Sequence, residues 1–282
     1  MREPCAPRPD RAGRDRLSYG AFTVLILAAQ RTGQENPLAV EHGVSHKCLV
    51  PICGKPLIAH VLDTLTTMDD LRLIRISIEP EAVAALTPLI ESYAPSGVKI
   101  EFVPSAESIA DSVLIAAAGV DGPYVITTAD NVLLTHFAVN EMRRAFAEGA
   151  DVTAALATRG GVLAAHPEGQ RRFYEFSDDG YSNCNLYGIA GAKGMKAAEI
   201  FREGGQFAKN PKRLINAFGL FNILLMKYKL ISLKGAMKRV SRRFGLKFDG
   251  VVLADGSHAI DVDNERTYRI AEGLLAKRLG QA

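Results

Sequence analysis

TVLILAAQRTGQENPLAVEHGVSHKCLVPICGKPL, residues Thr23 to Leu57, sets the expected architecture of the chain. Its opening residues, Thr23–Leu27, are apolar and largely β-branched, which predicts a buried strand. A loop with Arg31 and Gly33 follows, and then come Lys47 and a Gly-Lys-Pro turn. A buried strand that ends in a loop of small residues near cations is typical of a phosphate site.

Helical and extended patterns alternate after this segment. Apolar spacing predicts helices over 56–68, 81–94 and 108–120, and strands over 71–79, 98–104 and 124–130. This alternation favours a Rossmann-like, three-layer α/β/α fold with a mostly parallel mixed sheet. Ligands of such sheets bind beyond the carboxyl ends of the strands.

Length and composition suit one folded domain of ordinary composition. Of the 282 residues, we assign 21–282 to that domain, and the Pro-, Arg- and Gly-rich residues 1–20 to a disordered tail that cannot be a signal peptide. The four cysteines lack paired metal spacing, so we expect reduced thiols and a cytoplasmic protein. Cys48 and Cys53, near the phosphate loop, are read as small apolar fillers.

Three carboxylates stand out as candidate metal ligands. Asp130 ends an apolar strand, and Asp261 and Asp263 lie two residues apart in SHAIDVDNERTYRI. Carboxylate oxygens suit Mg²⁺. The alternative is that these residues cap helices: Asp130 a helix that begins near Leu134, and Asp263 or Asn264 the C-terminal helix.

The order of motifs resembles the MobA-like NTP-transferase family of nucleotidyltransferases. The strand is followed by LAA, Arg and Gly, and a Lys precedes LVPICGKPLI. The resemblance extends from Thr23 to Ala276, with Gln30 where the usual loop has Gly. It implies a GT-A-like nucleotidyltransferase fold whose first loop wraps a nucleoside triphosphate.

The same resemblance assigns the phosphate-binding groups. The nucleotide would be held by Leu27, Ala28, Ala29, Gln30 and Gly33. Arg31 and Lys47 would be catalytic, because they offset charge that develops on the leaving pyrophosphate.

The resemblance also gives the carboxylates a role. Asp130 would be catalytic and hold Mg²⁺. The string around Asp261 resembles the DIDTPEDL sequence that closes many of these enzymes, so Asp261 is the preferred second ligand, with Asp263 close behind. Mg²⁺ is therefore the expected cofactor.

Base and acceptor contacts follow from position within the family pattern. Ser108 and Ser112 would contact the base, although serines in helices are often solvent-facing or capping residues. Asn183 and Asn185 would contact the acceptor, although a turn using Asn for its own backbone is the alternative.

The function implied is a Mg²⁺-dependent transfer of NMP from an NTP to a phosphorylated small molecule or lipid precursor, with release of pyrophosphate. CTP is favoured on family analogy. A nucleotide-sugar-dependent glycosyltransferase is one alternative, but it would normally carry Asp-x-Asp on a mid-chain strand end. A degenerate transferase acting as a membrane-associated binding protein is another, and failure to bind NTP with Mg²⁺ would favour it.

Residues 204–248 form an unusually basic segment with eleven Lys or Arg and no Asp or Glu. We predict a basic, apolar helical insert. It would contact an anionic membrane surface at the inner face, clamp the acceptor, form core, or provide a homodimer interface. Nucleic acid is not an expected partner, because the cations are not interleaved with aromatic side chains.

Overall fold

The computed structural model describes residues 19–30, 36–202, 224–225 and 228–281, and of residues 199–202 only the backbone. The strands described are β1 (Phe22–Leu27), β2 (Pro51–Ile52), β3 (Lys55–Pro56), β4 (Leu71–Ile78), β5 (Lys99–Pro104), β6 (Tyr124–Thr128), β7 (Val152–Thr158), β8 (Tyr174–Glu175), β9 (Gly180–Ile189) and β10 (Phe248–Leu253). The α-helices are α1 (Pro37–Glu41), α2 (Leu57–Leu65), α3 (Pro80–Glu91), α4 (Ile109–Ala117), α5 (His136–Ala147), α6 (Arg159–Ala165), α7 (Ala192–Arg202), α8 (Leu233–Phe244) and α9 (Glu265–Arg278). Short 3₁₀ helices span Lys47–Leu49, Ala94–Ser96 and Gly256–Ala259.

Eight strands form one sheet in the order β10-β7-β9-β6-β1-β4-β5, with β8 beside β9. β1 pairs in parallel with both β4 and β6, whereas β9 runs antiparallel to its neighbours β6 and β7. β2 and β3 form a separate hairpin. The predicted α/β fold with a mostly parallel mixed sheet is confirmed.

Central strand β1 is buried on both faces. Val24 and Ile26 pack into the larger core cluster with α2 residues such as Leu57. Leu25 points the other way and packs with Val113 of α4. Successive side chains of a strand alternate between faces, so this division places helices on both sides of the sheet and produces three layers.

The six elements predicted between residues 56 and 130 are all present. Their limits differ by a few residues; for example, the helix predicted over 56–68 ends at Leu65. Pro88 lies inside α3, and that helix nevertheless continues to Glu91.

The predicted insert and tail are described only in part. Helix α8 lies within residues 204–248, but 203–223 and 226–227 fall outside the described residues, as do 1–18. Within the ranges described, no helix is long and apolar enough to cross a membrane.

Candidate active site

Three carboxylates converge at the carboxyl edge of the sheet. Asp130 follows β6, and Asp261 and Asp263 follow the 3₁₀ helix that comes after β10. Each contributes an oxygen, and these oxygens lie within 4.8 Å of one another. The backbone N–H of Val262 donates to the carbonyl of Asp130 at 3.4 Å, which joins the two segments.

Lys47 places its ammonium group among these carboxylates. Its Nζ forms a short ion pair with Asp130 and lies 3.0 Å from Asp263 Oδ1. Burial alone would lower the pKa of Lys47, but Asp130 and Asp263 outweigh that effect, and the pKa is raised. Lys47 is therefore charged at neutral pH.

Asp261 differs from Asp263 in the direction of its pKa shift. Burial, followed by the charges of Asp130 and Asp263, raises the pKa of Asp261 to about 7. Burial also acts to raise the pKa of Asp263, but Lys47 and a hydrogen bond from Asp261 lower it overall. Below pH 7 the site thus holds a proton on Asp261 while Asp263 is ionised.

Asn185 supports Asp261 from strand β9. Its Nδ2 donates to Asp261 Oδ2 at 2.7 Å, and its φ is +47°. The pairing of β9 with β7 shifts register between Ala154 and Leu156, opposite this part of β9. A bulge that re-aims a side chain explains how Asn185 reaches Asp261 from within a strand.

Asn183 extends this polar chain along the same face of β9. Its Nδ2 donates to Asn185 Oδ1 at 3.1 Å and also contacts the hydroxyl of Tyr187. Asn185 therefore lies beside the carboxylates, and Asn183 is joined to them through Asn185. Their contact with an acceptor stays a prediction.

The loop after β1 begins at the same edge. Leu27 ends β1, its carbonyl accepts from the N–H of Ala129 at 3.0 Å, and the N–H of Ala28 donates to the Ser77 carbonyl at 2.9 Å. Ala29 is exposed, and Gln30 is half-buried. Arg31 and Gly33 lie outside the described residues, so their phosphate roles stay predictions.

Ser108 and Ser112 are occupied by local hydrogen bonds. Ser108 caps α4 by accepting from the N–H of Asp111 at 3.0 Å. The Ser112 hydroxyl accepts from the N–H of Ala106 at 2.9 Å. Contact with a base stays a prediction for both residues.

The capping alternatives are resolved by the observed helix starts. Thr135, and not Asp130, caps α5. Asn264 caps α9 through a capping box with Thr267. Neither Asp130 nor Asp263 is used as a cap, which leaves both side chains directed to the site.

Two residues of this edge were not identified from the sequence. Glu79 follows β4, and its Oε1 accepts from the N–H of Gln30 at 2.6 Å. The signal was the one used for Asp130, an acidic residue directly after an apolar strand. Asn131 is buried, and its Nδ2 donates to Thr127 Oγ1 and to the Cys184 carbonyl, both at 3.1 Å, which ties β6 to β9.

The carboxylates fit a divalent metal. Asp130 Oδ1 is buried and has no hydrogen-bond partner, which leaves an unsatisfied acceptor on one of the three carboxylates that converge here. Oxygen-only donor sets suit hard cations such as Mg²⁺.

The fold is that of nucleotidyltransferase-like α/β proteins: a mostly parallel mixed sheet with helices, which here carries Lys47 and the converging carboxylates at its carboxyl edge. The chain belongs to the MobA-like NTP transferase domain family, whose model matches residues 24–199. The sequence has no significant match among curated proteins.

Solved structures share the fold. A hypothetical transferase from Thermus thermophilus is 22% identical, with a TM-score of 0.71 over 88% of this chain and 99% of that one. CMP:2-keto-3-deoxy-manno-octonic acid synthetase complexed with CTP is 12% identical, with a TM-score of 0.56 over 92% and 100%. 4-Diphosphocytidyl-2C-methyl-D-erythritol synthase from Anaerococcus prevotii is 9% identical, with a TM-score of 0.57 over 91% and 99%.

Proposed function

We propose that this chain is a Mg²⁺-dependent nucleotidyltransferase that transfers NMP from an NTP to a phosphorylated small-molecule or lipid-precursor acceptor. Pyrophosphate is the other product. The observation that carries the proposal is the convergence of Asp130, Asp261 and Asp263 with Lys47 at the edge where the nucleotide loop begins. Family membership supplies the class of reaction.

The residues of the site have different roles in the proposed reaction. Asp130, Asp261 and Asp263 would hold Mg²⁺, which when bound would offset the negative charge of the triphosphate. The Lys47 ammonium stabilises charge that builds on the leaving pyrophosphate. Asn185 fixes the orientation of Asp261 through its 2.7 Å hydrogen bond. These residues act mainly by positioning and electrostatics while the acceptor phosphate attacks the α-phosphorus in line.

CTP is the favoured nucleotide. Two of the similar structures carry cytidylyl chemistry in their names, and one of them is complexed with CTP. The fold that these two structures share with this chain supports CTP as the proposed nucleotide.

A thermal-shift screen of CTP, UTP, GTP, ATP and a nucleotide-sugar, each with and without Mg²⁺, tests the proposed function. A bound ligand stabilises the folded state by mass action, so we expect a rise in Tm that requires Mg²⁺ and is largest for CTP. A largest rise with another nucleotide would correct the base. Stabilisation by a nucleotide-sugar in place of any NTP would favour the glycosyltransferase, and no shift with any of them would favour the degenerate binding protein.

A second proposal concerns the location of the protein. Helix α8 exposes five cations, Lys234, Lys238, Arg239, Arg242 and Arg243, while Leu233 and Ala236 on its other face are buried. The positive charge of this face is complementary to an anionic membrane surface. We therefore propose that the protein is cytoplasmic and associates peripherally with anionic lipid. A homodimer stays a prediction from the sequence.

A further inference from the structure

Gln30 joins two segments that carry the site. Its side-chain Nε2 donates to the carbonyl of Ser45 at 3.1 Å, and its Oε1 accepts from the backbone N–H of Lys47 at 3.3 Å. One amide group thus satisfies a donor and an acceptor of the backbone on either side of His46. The end of β1 is thereby fastened to the segment that leads into the Lys47 helix.

The contact with Lys47 is significant because of where Lys47 lies in its helix. Lys47 is the first residue of the 3₁₀ helix Lys47–Leu49, and the side chain of His46 before it makes no capping hydrogen bond. The first N–H groups of a helix lack partners within the helix. Gln30 supplies the partner that the adjacent sequence does not.

Gln30 is itself held by a residue that follows β4, the strand beside β1. Glu79, directly after β4, accepts from the Gln30 N–H at 2.6 Å. A hydrogen-bonded path therefore runs from Glu79 through Gln30 to the backbone of Lys47. From there the Lys47 side chain reaches Asp130 and Asp263.

We propose that Gln30 is a positioning residue that holds Lys47 for contact with the nucleotide triphosphate. This inference rests on the proposed function and deepens it. In this proposal the side chain of Gln30 acts through Lys47, and this role replaces the direct contact with the nucleotide that the family pattern implies for Gln30. The usual loop of the family has glycine at this position, where the backbone can come close to the phosphates. In this chain, glutamine gives up that close approach and holds Lys47 in place instead.

The test is a double-mutant cycle on nucleotide affinity. Isothermal titration with CTP and Mg²⁺ compares wild type, Gln30→Ala, Lys47→Met and the double variant. Loss of the two side-chain hydrogen bonds should weaken binding by about three- to tenfold in the wild-type background. In the Lys47→Met background, the same substitution should have no further effect, because the group that it positions is gone.

A matched control removes a hydrogen bond of the same kind elsewhere. The Ser92 hydroxyl donates to the Leu89 carbonyl at 2.6 Å. This bond lies at the C-terminal end of α3, a helix whose other end, at Pro80, is the end near the site. Ser92→Ala should leave the affinity unchanged.

Hydrogen exchange provides a second measurement that needs no nucleotide. The backbone amides of residues 45–49 should exchange faster in Gln30→Ala than in wild type, while those of α2 should exchange at the same rate. Unchanged exchange at 45–49 would overturn the proposal.

The outcomes separate this proposal from the proposed function. An equal loss of affinity from Gln30→Ala in both backgrounds would mean that Gln30 contacts the nucleotide itself, and it would overturn the positioning role. No loss of affinity in either background would overturn that role as well. If wild type binds no nucleotide with Mg²⁺, the proposed function fails, and the exchange rates alone decide whether Gln30 fixes Lys47.

Discussion

Lys47 Nζ lies 3.0 Å from Asp263 Oδ1, although 216 residues separate the two along the chain. The same ammonium group pairs with Asp130. It therefore stands among the oxygens that would hold a metal ion. A lysine in that position neutralises the carboxylates in the absence of ligand and must share them when a metal binds.

Lys47→Met should convert this site into a tighter one for free metal. Removal of the ammonium leaves carboxylates close together, and we expect a loss of roughly 2 kcal/mol in the free energy of unfolding in EDTA. Mn²⁺ should restore more stability to the variant than to wild type. Denaturation with and without Mn²⁺ measures both effects. Lys99→Met, which breaks the Lys99–Glu101 pair of 2.5 Å at the opposite edge of the sheet, is the control and should show no metal dependence beyond wild type.

Asp130→Asn should remove the Mg²⁺ dependence of nucleotide binding. The amide keeps the size of the side chain but loses the charge that attracts a metal. It also loses the ion pair with Lys47, and the relief of repulsion with Asp261 offsets that loss. We therefore expect Tm to stay within about 2 °C of wild type, while the affinity for CTP becomes the same with and without Mg²⁺. Titration calorimetry measures the affinities. A large drop in Tm with an intact Mg²⁺ effect would contradict the assignment of Asp130 as a ligand.

Stability without metal should depend on pH through Asp261. Burial and the neighbouring carboxylates raise the pKa of Asp261 to about 7, well above the ordinary value of an aspartate. The folded state thus binds a proton that the unfolded state has released, so stability falls as the pH rises between about 4 and 7. Urea denaturation in EDTA at several pH values, for wild type and Asp261→Asn, isolates this contribution. The difference between the two proteins should grow toward pH 8, in favour of the variant.

Metal affinity should follow the opposite trend with pH. A proton on Asp261 competes with the metal, so the affinity for Mg²⁺ in the presence of CTP should rise as the pH passes through 7. Titration of Mg²⁺ at pH 6 and pH 8 checks the direction. An affinity independent of pH would argue that Asp261 is not a ligand.

Asn185 should tolerate glycine better than alanine. Both substitutions lose the hydrogen bond to Asp261, but alanine must also occupy the left-handed region at φ +47°. That conformation costs a residue with Cβ about 1 kcal/mol relative to glycine. Urea denaturation of Asn185→Ala and Asn185→Gly gives the difference, and equal stability of the two would show that the backbone relaxes at this position.

Reversal of charge on α8 should weaken attachment to anionic vesicles. Wild type should sediment with phosphatidylserine-containing liposomes at low salt and be released as salt increases. The double variant with Lys238→Glu and Arg242→Glu should remain in solution. Lys277→Glu on α9 serves as the control, and equal binding to neutral and anionic vesicles would contradict the proposal.

The parallel half of the fold could be predicted because its signals are local. β1 and β6 are short, mostly apolar runs, and β4 alternates apolar with polar residues. A polar residue (Gln30, Glu79 or Asp130) follows within three residues of the end of each strand. The reversed direction of β9 could not be predicted, since its pairing with both β6 and β7 depends on contacts distant in sequence. Asp130 and Lys47 were identified from the motif order, and their roles remain predictions.

The hydrogen-bonded supports of the site were harder to predict. Glu79 contacts the backbone of Gln30 only because β4 lies beside β1. The link from Asn185 to Asp261 requires a bulge in β9 and a turn after β10. Spacing along the chain carries no information about either, because both are set by which strands become neighbours.

The site draws its carboxylates from both sides of residue 199, where the match to the family ends. A chain emerging from the ribosome can pair β1, β4, β5 and β6 and place Lys47 beside Asp130 long before Asp261 and Asp263 have been made. β10 must then dock on β7 before these two residues can arrive. The three carboxylates can therefore come together only after β10 has been made, so this acidic group is the last part of the candidate site to be completed during synthesis.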